Sequence, residues 1–154
     1  MATGIYYSIL EAVRDKVRTL TLDGIQPADV KIRKLPKATE SLDGLPCVVV
    51  APGEDPELLT PHSFEDDASY EVAYSVDVVC VADDDADFVT NIDRYFRWRE
   101  QVRRAFQSPR LEDVPAVFDT RLKPLAPLDR QLLNNNYAYT GITVRFHASE
   151  QRTN

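Results

Sequence analysis

The side chains most suited to acid–base work in this chain are two histidines, His62 and His147, since imidazole is the group whose charge changes nearest neutral pH. His62 lies in Pro61-His62-Ser63 and is followed by Glu65, Asp66 and Asp67. A hydroxyl, an imidazole and a carboxylate are the parts of a nucleophilic triad, but a triad is made by geometry, and loop neighbours seldom supply it. The segment reads as a solvated acidic loop. His147 falls on the polar face of a strand. No HExxH, GxSxG, GxxxxGK[ST] or GxGxxG motif is present. The chain is therefore read as not an enzyme; a small hydrolase using His62 or the acid cluster is kept as an alternative.

Asp83, Asp84, Asp85 and Asp87 could in principle hold a hard cation. The EF-hand pattern fails, with no Gly at its sixth position and no Glu at its twelfth. These acids are read as the start of a helix, where negative charge complements the macrodipole. Cys47 and Cys80 each sit in an apolar run, LPCVVV and VDVVCVA, and read as buried thiols. A disulfide between them would need adjacent strands in a suitable register. No CxxC or Cys/His cluster points to a metal, and no cofactor is expected.

Arginines at 94, 97, 99, 103, 104 and 110 interleave with Tyr95, Phe96 and Trp98. This superficially resembles a base-stacking platform. The acidic balance of the chain and the i,i+4 pairs Asp93–Arg97 and Glu100–Arg104 favour a salt-bridged helix face instead. Arginine and aromatic side chains are enriched at interface hot spots, so Arg94, Arg97, Trp98 and Arg104 are candidate protein contacts. Their natural complement is acid on a neighbouring copy, which the 65–67 segment (Glu65, Asp66 and Asp67) and the 83–87 segment both supply. Tyr137 and Tyr139, on the polar face of the last strand, complete the candidate interface. A nucleic-acid-binding module using the arginine helix remains a further alternative.

Helical and strand periods must position these groups. Tyr6, Leu10, Val13, Val17 and Leu20 form an apolar stripe that predicts a helix over roughly 4–20, capped by Thr3 and stopped at Asp23-Gly24. DVKIRK predicts a short edge strand and CVVVAP a second strand. Residues 53–68, with two prolines and six acids, read as a long acidic loop. SYEVAYSVDVVCVA alternates throughout and predicts one strand, which at about 3.3 Å per residue would run past about 40 Å. A second helix is expected over about 87–107, with Phe88, Ile92, Tyr95, Val102 and Phe106 as its stripe, broken by Arg99, and with Trp98 on its flank. AVFDTRLKPL and YAYTGITVRFHA complete the strands, and 149–154 reads as a polar tail. The order α-β-β-β-α-β-β predicts an α+β fold: a mixed, mainly antiparallel sheet of about five strands on two helices. Its 154 residues suit one domain.

The net charge of −7 argues against a general phosphate binder, whose affinity comes from Lys and Arg. The N-terminal stretch has neither the basic region nor the apolar run of a signal peptide, and no segment approaches the roughly 18 apolar residues of a membrane span.

YEVAYSVDVVCVAD running into NIDRYFRWREQVRRAF, then RLEDVPAVFDTRL and a terminal TGITVRF, resembles the tail terminator, or tail-completion, proteins of long-tailed bacteriophages and related minor tail proteins. The similarity spans roughly residues 5–148. It implies a structural virion protein of the neck, made in the host cytoplasm: a hexameric ring that caps the tail tube, stops its polymerisation and meets a head-completion protein. It also implies a central channel through which DNA passes without specific binding, where acid in the 65–67 loop would repel it. A head-completion or adaptor protein of the same neck is the nearest alternative.

Overall fold

The computed structural model describes residues 4–34, 45–55, 57–61, 69–83, 88–125, 127–128 and 137–151. Helix α1 spans Ile5–Arg18, and Ile9, Leu10, Val13 and Val17 on its inner face are buried. It ends earlier than its stripe suggests. The Thr19 hydroxyl donates to Lys16 O at 2.6 Å, and Thr21 and Gly24 adopt positive φ, a left-handed backbone that cannot continue a helix. Gly4 stands at the N-cap without a side-chain cap. The expected Thr3 cap lies outside the described residues.

The strands are β1 (Val30–Ile32), β2 (Cys47–Pro52), β3 (Leu58–Pro61), β4 (Ser69–Asp83), β5 (Val117–Pro124) and β6 (Tyr137–Gln151), with α2 (Phe88–Ala105) between β4 and β5. They form one six-stranded sheet in the order β1-β2-β4-β6-β5, with β3 also on β4. Only β1–β2 is parallel; the other pairings are antiparallel. The fold is α+β, a mixed and mainly antiparallel sheet against two helices, as the order of elements predicts.

Three features depart from the sequence reading. The acidic loop over 53–68 contains β3. Strand β2 pairs with β4 as far as Pro52↔Val76, and β3 resumes on the same edge at Leu58↔Ala73. Between those pairs β4 has only Tyr74 and Ser75, while the edge carries the described residues 53–55 and 57, a large bulge, or arch, in the edge. Gly53 N donates to Ser75 O at 2.8 Å, and a Cβ on Gly53 would lie 2.7 Å from Ser75 Cβ, so the arch needs glycine at its foot. The polar tail expected from 149 is strand as far as Gln151, because the far end of β4 pairs with it, Ser69↔Gln151. In β5, a register shift between Val117 and Asp119 reverses the expected alternation. Val117 and Leu122 both face the core, although a regular strand would put them on opposite faces.

Strands β4 and β6 pair along their whole length, from Ser69↔Gln151 to Asp83↔Tyr137. The even residues of β4 from Val72 to Ala82 join α1 and α2 in the main core, with Phe146 edge-on to Phe106 at 6.1 Å. On the other face of the sheet, Val79 and Val81 pack with Cys47, Val49 and Ala51, backed by Leu45 and Tyr139. Further along that face the pairing turns polar: Asp77↔Thr143, Ser75↔Arg145 and Ala73↔His147. The sheet therefore has a helix face and a far face that is apolar at one end and charged at the other.

Candidate assembly surfaces

Helix α2 separates its side chains by period. Tyr95, Trp98 and Val102 point inward and are buried, while Asp93, Phe96, Arg97, Arg103 and Arg104 are exposed. Trp98 is 1% exposed, and its Nε1 donates to Asp23 O at 2.9 Å. The reading of Trp98 as a flank residue available for contacts is thus corrected. The 3.6-residue period puts 98 between 95 and 102 on the inner arc, and the turn after α1 supplies the acceptor that an indole needs in a core.

Arg94 lies with its guanidinium 5.1 Å from the Trp98 ring and 5.9 Å from the Tyr95 ring. It is half-buried and acts as a cover for the indole. Its Nε is buried with no hydrogen-bond partner among the described residues. Arg97 bonds Asp93 at 3.0 Å and approaches Asp23 at 4.0 Å; Arg104 approaches Glu100 at 3.7 Å. The two i,i+4 pairs expected from sequence are both formed. All are solvent-exposed, and such pairs contribute roughly 0–1 kcal/mol each. Arg103 is exposed and makes no ion pair among the described residues.

Arg99, which reads in sequence only as a break in the stripe, joins helix to sheet. Its Nη1 donates to Gly141 O at 2.6 Å, and its Nη2 donates to Leu125 O. Strand β5 ends at Pro124↔Ile142, so Gly141 lies just beyond the last β5–β6 pair, and the guanidinium supplies the donor that β5 no longer can. Desolvation, and then the neighbouring charge of Arg103, push the Arg99 pKa down.

The far face carries the acids. Asp55, in the arch, bonds Arg145 at 2.9 Å and approaches Lys123 at 3.8 Å. Asp77 is 5% exposed and accepts a hydrogen bond from the Thr143 hydroxyl at 2.7 Å. Burial raises the Asp77 pKa; the Thr143 bond lowers it, and the charges of Glu54 and Asp55 raise it again. Glu54, Asp55, Asp77, Lys123, Tyr139 and Thr143 line a half-open cavity of about 180 Å³. Glu54 and Glu57 are exposed and make no ion pair among the described residues. Periodicity places Asp77 on this face, but nothing local in the sequence pairs it with Thr143 or brings Asp55 over it.

His147 Nδ1 lies 2.6 Å from Glu71 Oε1, and its Nε2 is buried with no hydrogen-bond partner among the described residues. The pair is set between β4 and β6. Tyr139 packs against the far-face apolar cluster and lines the cavity. Of the remaining candidates, Glu65, Asp66, Asp67 and His62 lie outside the described residues, as do 84–87 of the acid run. Tyr137 is the first residue of β6, and its side chain is not described. The structure thus gathers Arg94, Arg97 and Trp98 about the Asp23–Gly24 turn on the helix side, and puts Tyr139 on the opposite side of the sheet.

Among the described residues, no group of three or more His, Cys, Asp or Glu is placed to hold a metal ion. No described helix is long and apolar enough to cross a membrane. No family model matches the chain, and no curated protein matches its sequence.

Proposed function

We propose that this chain is a structural subunit of the head–tail junction of a tailed bacteriophage: a tail terminator that assembles into a ring, caps the tail tube and joins it to the head–neck complex. On this reading it has no catalytic role and needs no cofactor. Its partners are further copies of itself, the tail tube protein and a head-completion protein, with DNA passing through the channel unbound. It would be assembled in the host cytoplasm and reside in the neck of the virion.

The observation that carries the reading is unlike charge on opposite faces of one sheet. Arg97, Arg103 and Arg104 point outward from α2. Glu54, Asp55 and Asp77 gather on the far face. Contacts between unlike surfaces are heterologous, and they close into rings when the rotation between copies allows. The resemblance of residues 5–148 to tail terminators supplies the biological setting.

Light scattering on the purified chain, alone and with the tail tube protein, tests the proposal, together with images sufficient to count subunits. A closed ring, six-membered if the resemblance extends to ring order, is the expected result. A monomer at high concentration both alone and with the tube protein would remove it.

A further inference from the structure

We infer that the pocket at the end of α1 receives the ring of Tyr7 from a second copy of this chain. The inference rests on the self-association proposed above and names a contact that would produce it.

The pocket lies where α1 gives way to the turn before β1. Val17, Leu22, Ile25 and Val30 form its apolar floor, and Arg18, Thr21 and Gln26 stand at its rim. Its volume is about 240 Å³. Small-molecule sites run from roughly 300 to roughly 1,000 Å³, whereas a cavity of about 150 Å³ holds one benzene ring. The size therefore suits a single aromatic side chain. Arg18 donates from Nε and Nη2 to Val30 O at 3.2 and 2.9 Å, which fixes its guanidinium at the rim. That planar group carries more N–H donors than those bonds use. An apolar floor beside such a donor matches a side chain with an apolar body and a polar tip, which is the character of tyrosine.

The rim is also strained. Thr21 has a φ of 50°, a left-handed conformation that is an outlier for a β-branched residue. Glycine would hold the same turn freely. Outliers of this kind cluster at binding clamps, and this one borders the pocket.

Exposure and spacing point to the occupant. Among the described residues, the large apolar side chains left exposed are Tyr7, at 50%, and Phe96, at 36%. Of the two, Tyr7 has the polar tip. Tyr7, Glu11, Arg14 and Arg18 recur at three- and four-residue steps and share one stripe of α1, with the ring near its start and the pocket at its end. Tyr7 and Arg18 stand about 16 Å apart along this helix, so a chain cannot fill its own pocket. Glu11, one turn from Tyr7, approaches Arg14 of its own chain only at 3.9 Å. Docking Tyr7 into the next copy brings this carboxylate toward that copy's Arg18, a pairing of opposite charges that fixes the register. The contact is head-to-tail, the kind that closes into a ring when the rotation between copies allows.

Two variants separate ring from pocket. Tyr7→Ala loses the ring and keeps the pocket. Gln26→Phe fills the pocket from its rim and keeps Tyr7. Both positions are exposed, and circular dichroism and Trp98 fluorescence matching wild type establish that both variants are folded. By light scattering, each alone is expected to associate more weakly than wild type by about tenfold or more. An equimolar mixture is expected to form a dimer and nothing larger, because Tyr7 of the Gln26→Phe chain can still enter the open pocket of the Tyr7→Ala chain. If either variant assembles as wild type does, or if the mixture stays monomeric or grows beyond the dimer, the Tyr7–pocket contact is refuted while self-association stands. If wild type itself stays monomeric with and without the tube protein, both this contact and the proposed function fall.

Discussion

The Trp98 indole donates to Asp23 O at 2.9 Å, which ties the middle of α2 to the turn after α1. The bond crosses between the two helices at the point where α1 has already ended, and Arg94 closes over it. Trp98→Ala should therefore cost about 3–5 kcal/mol, the range for removing a large buried aromatic. Trp98→Phe should cost about 1 kcal/mol for the hydrogen bond plus the loss of the larger ring. Denaturant unfolding measures both. As Trp98 is the sole tryptophan, its emission in the native protein should be blue-shifted and should move to the red on unfolding; an already red native spectrum would contradict its burial.

Arg99 holds Gly141 O and Leu125 O together at the end of β5. Arg99→Met keeps the stem but removes both donors, and should cost about 1.5–3 kcal/mol, the range for hydrogen bonds to a charged group. Arg99→Lys should restore little, because a single ammonium cannot span both carbonyls as a planar fork does. Hydrogen exchange gives the sharper readout: amides around 139–143 should lose protection before the centre of β4. Unchanged protection there would show that the arginine does not secure this end of the sheet.

Asp77 makes a signed prediction about pH. Its folded pKa is raised, chiefly by burial, so the folded state holds this proton more tightly than the unfolded chain does. The stability it contributes is fully present below the ordinary carboxylate range and is lost as pH rises through the raised folded value. Asp77→Asn should flatten this part of the stability profile, and should stabilise the isolated subunit relative to wild type near neutral pH. Thermal melts of both proteins from about pH 3.5 to 7 provide the test. Parallel profiles would mean that the carboxyl is solvated in the native state.

Cys47 and Cys80 should behave as inert thiols. Burial pushes Cys47 up to about 11 and Cys80 up to about 12, so little thiolate is available near pH 8. A thiol reagent at that pH should react slowly with the native chain and rapidly with both residues after denaturation. The two strands are adjacent, but Cys47 pairs with Val81 and Cys80 with Val48. The thiols thus sit on opposite faces of the sheet, and oxidation should produce no intramolecular disulfide. Fast native labelling would refute the burial, and a native crosslink the register.

Much of the architecture was legible in advance because period is a local property. The alternation from Tyr70 to Ala82 identifies the inward face of β4 without reference to any partner. The stripes of α1 and α2 do the same at three- and four-residue steps, and the Asp93–Arg97 and Glu100–Arg104 pairs follow from helical spacing alone. Trp98 shows the limit of such reading: its inward position is a matter of helix geometry, but its polar atom is satisfied by a carbonyl 75 residues away.

The sequence by itself determined the fold class, the number of helices, the two-faced character of the long strands and the burial of both cysteines, since each depends on apolar residues recurring within one element. Tertiary structure alone decided that β3 would resume the line of β2 after the arch, that a bulge would turn Val117 to the core, and that Asp55, Asp77, Thr143 and Arg145 would meet on one face. Those outcomes depend on which strands become neighbours and in what register. That choice is made by the sum of burial and backbone hydrogen bonding across the whole sheet, and no single segment carries a record of it.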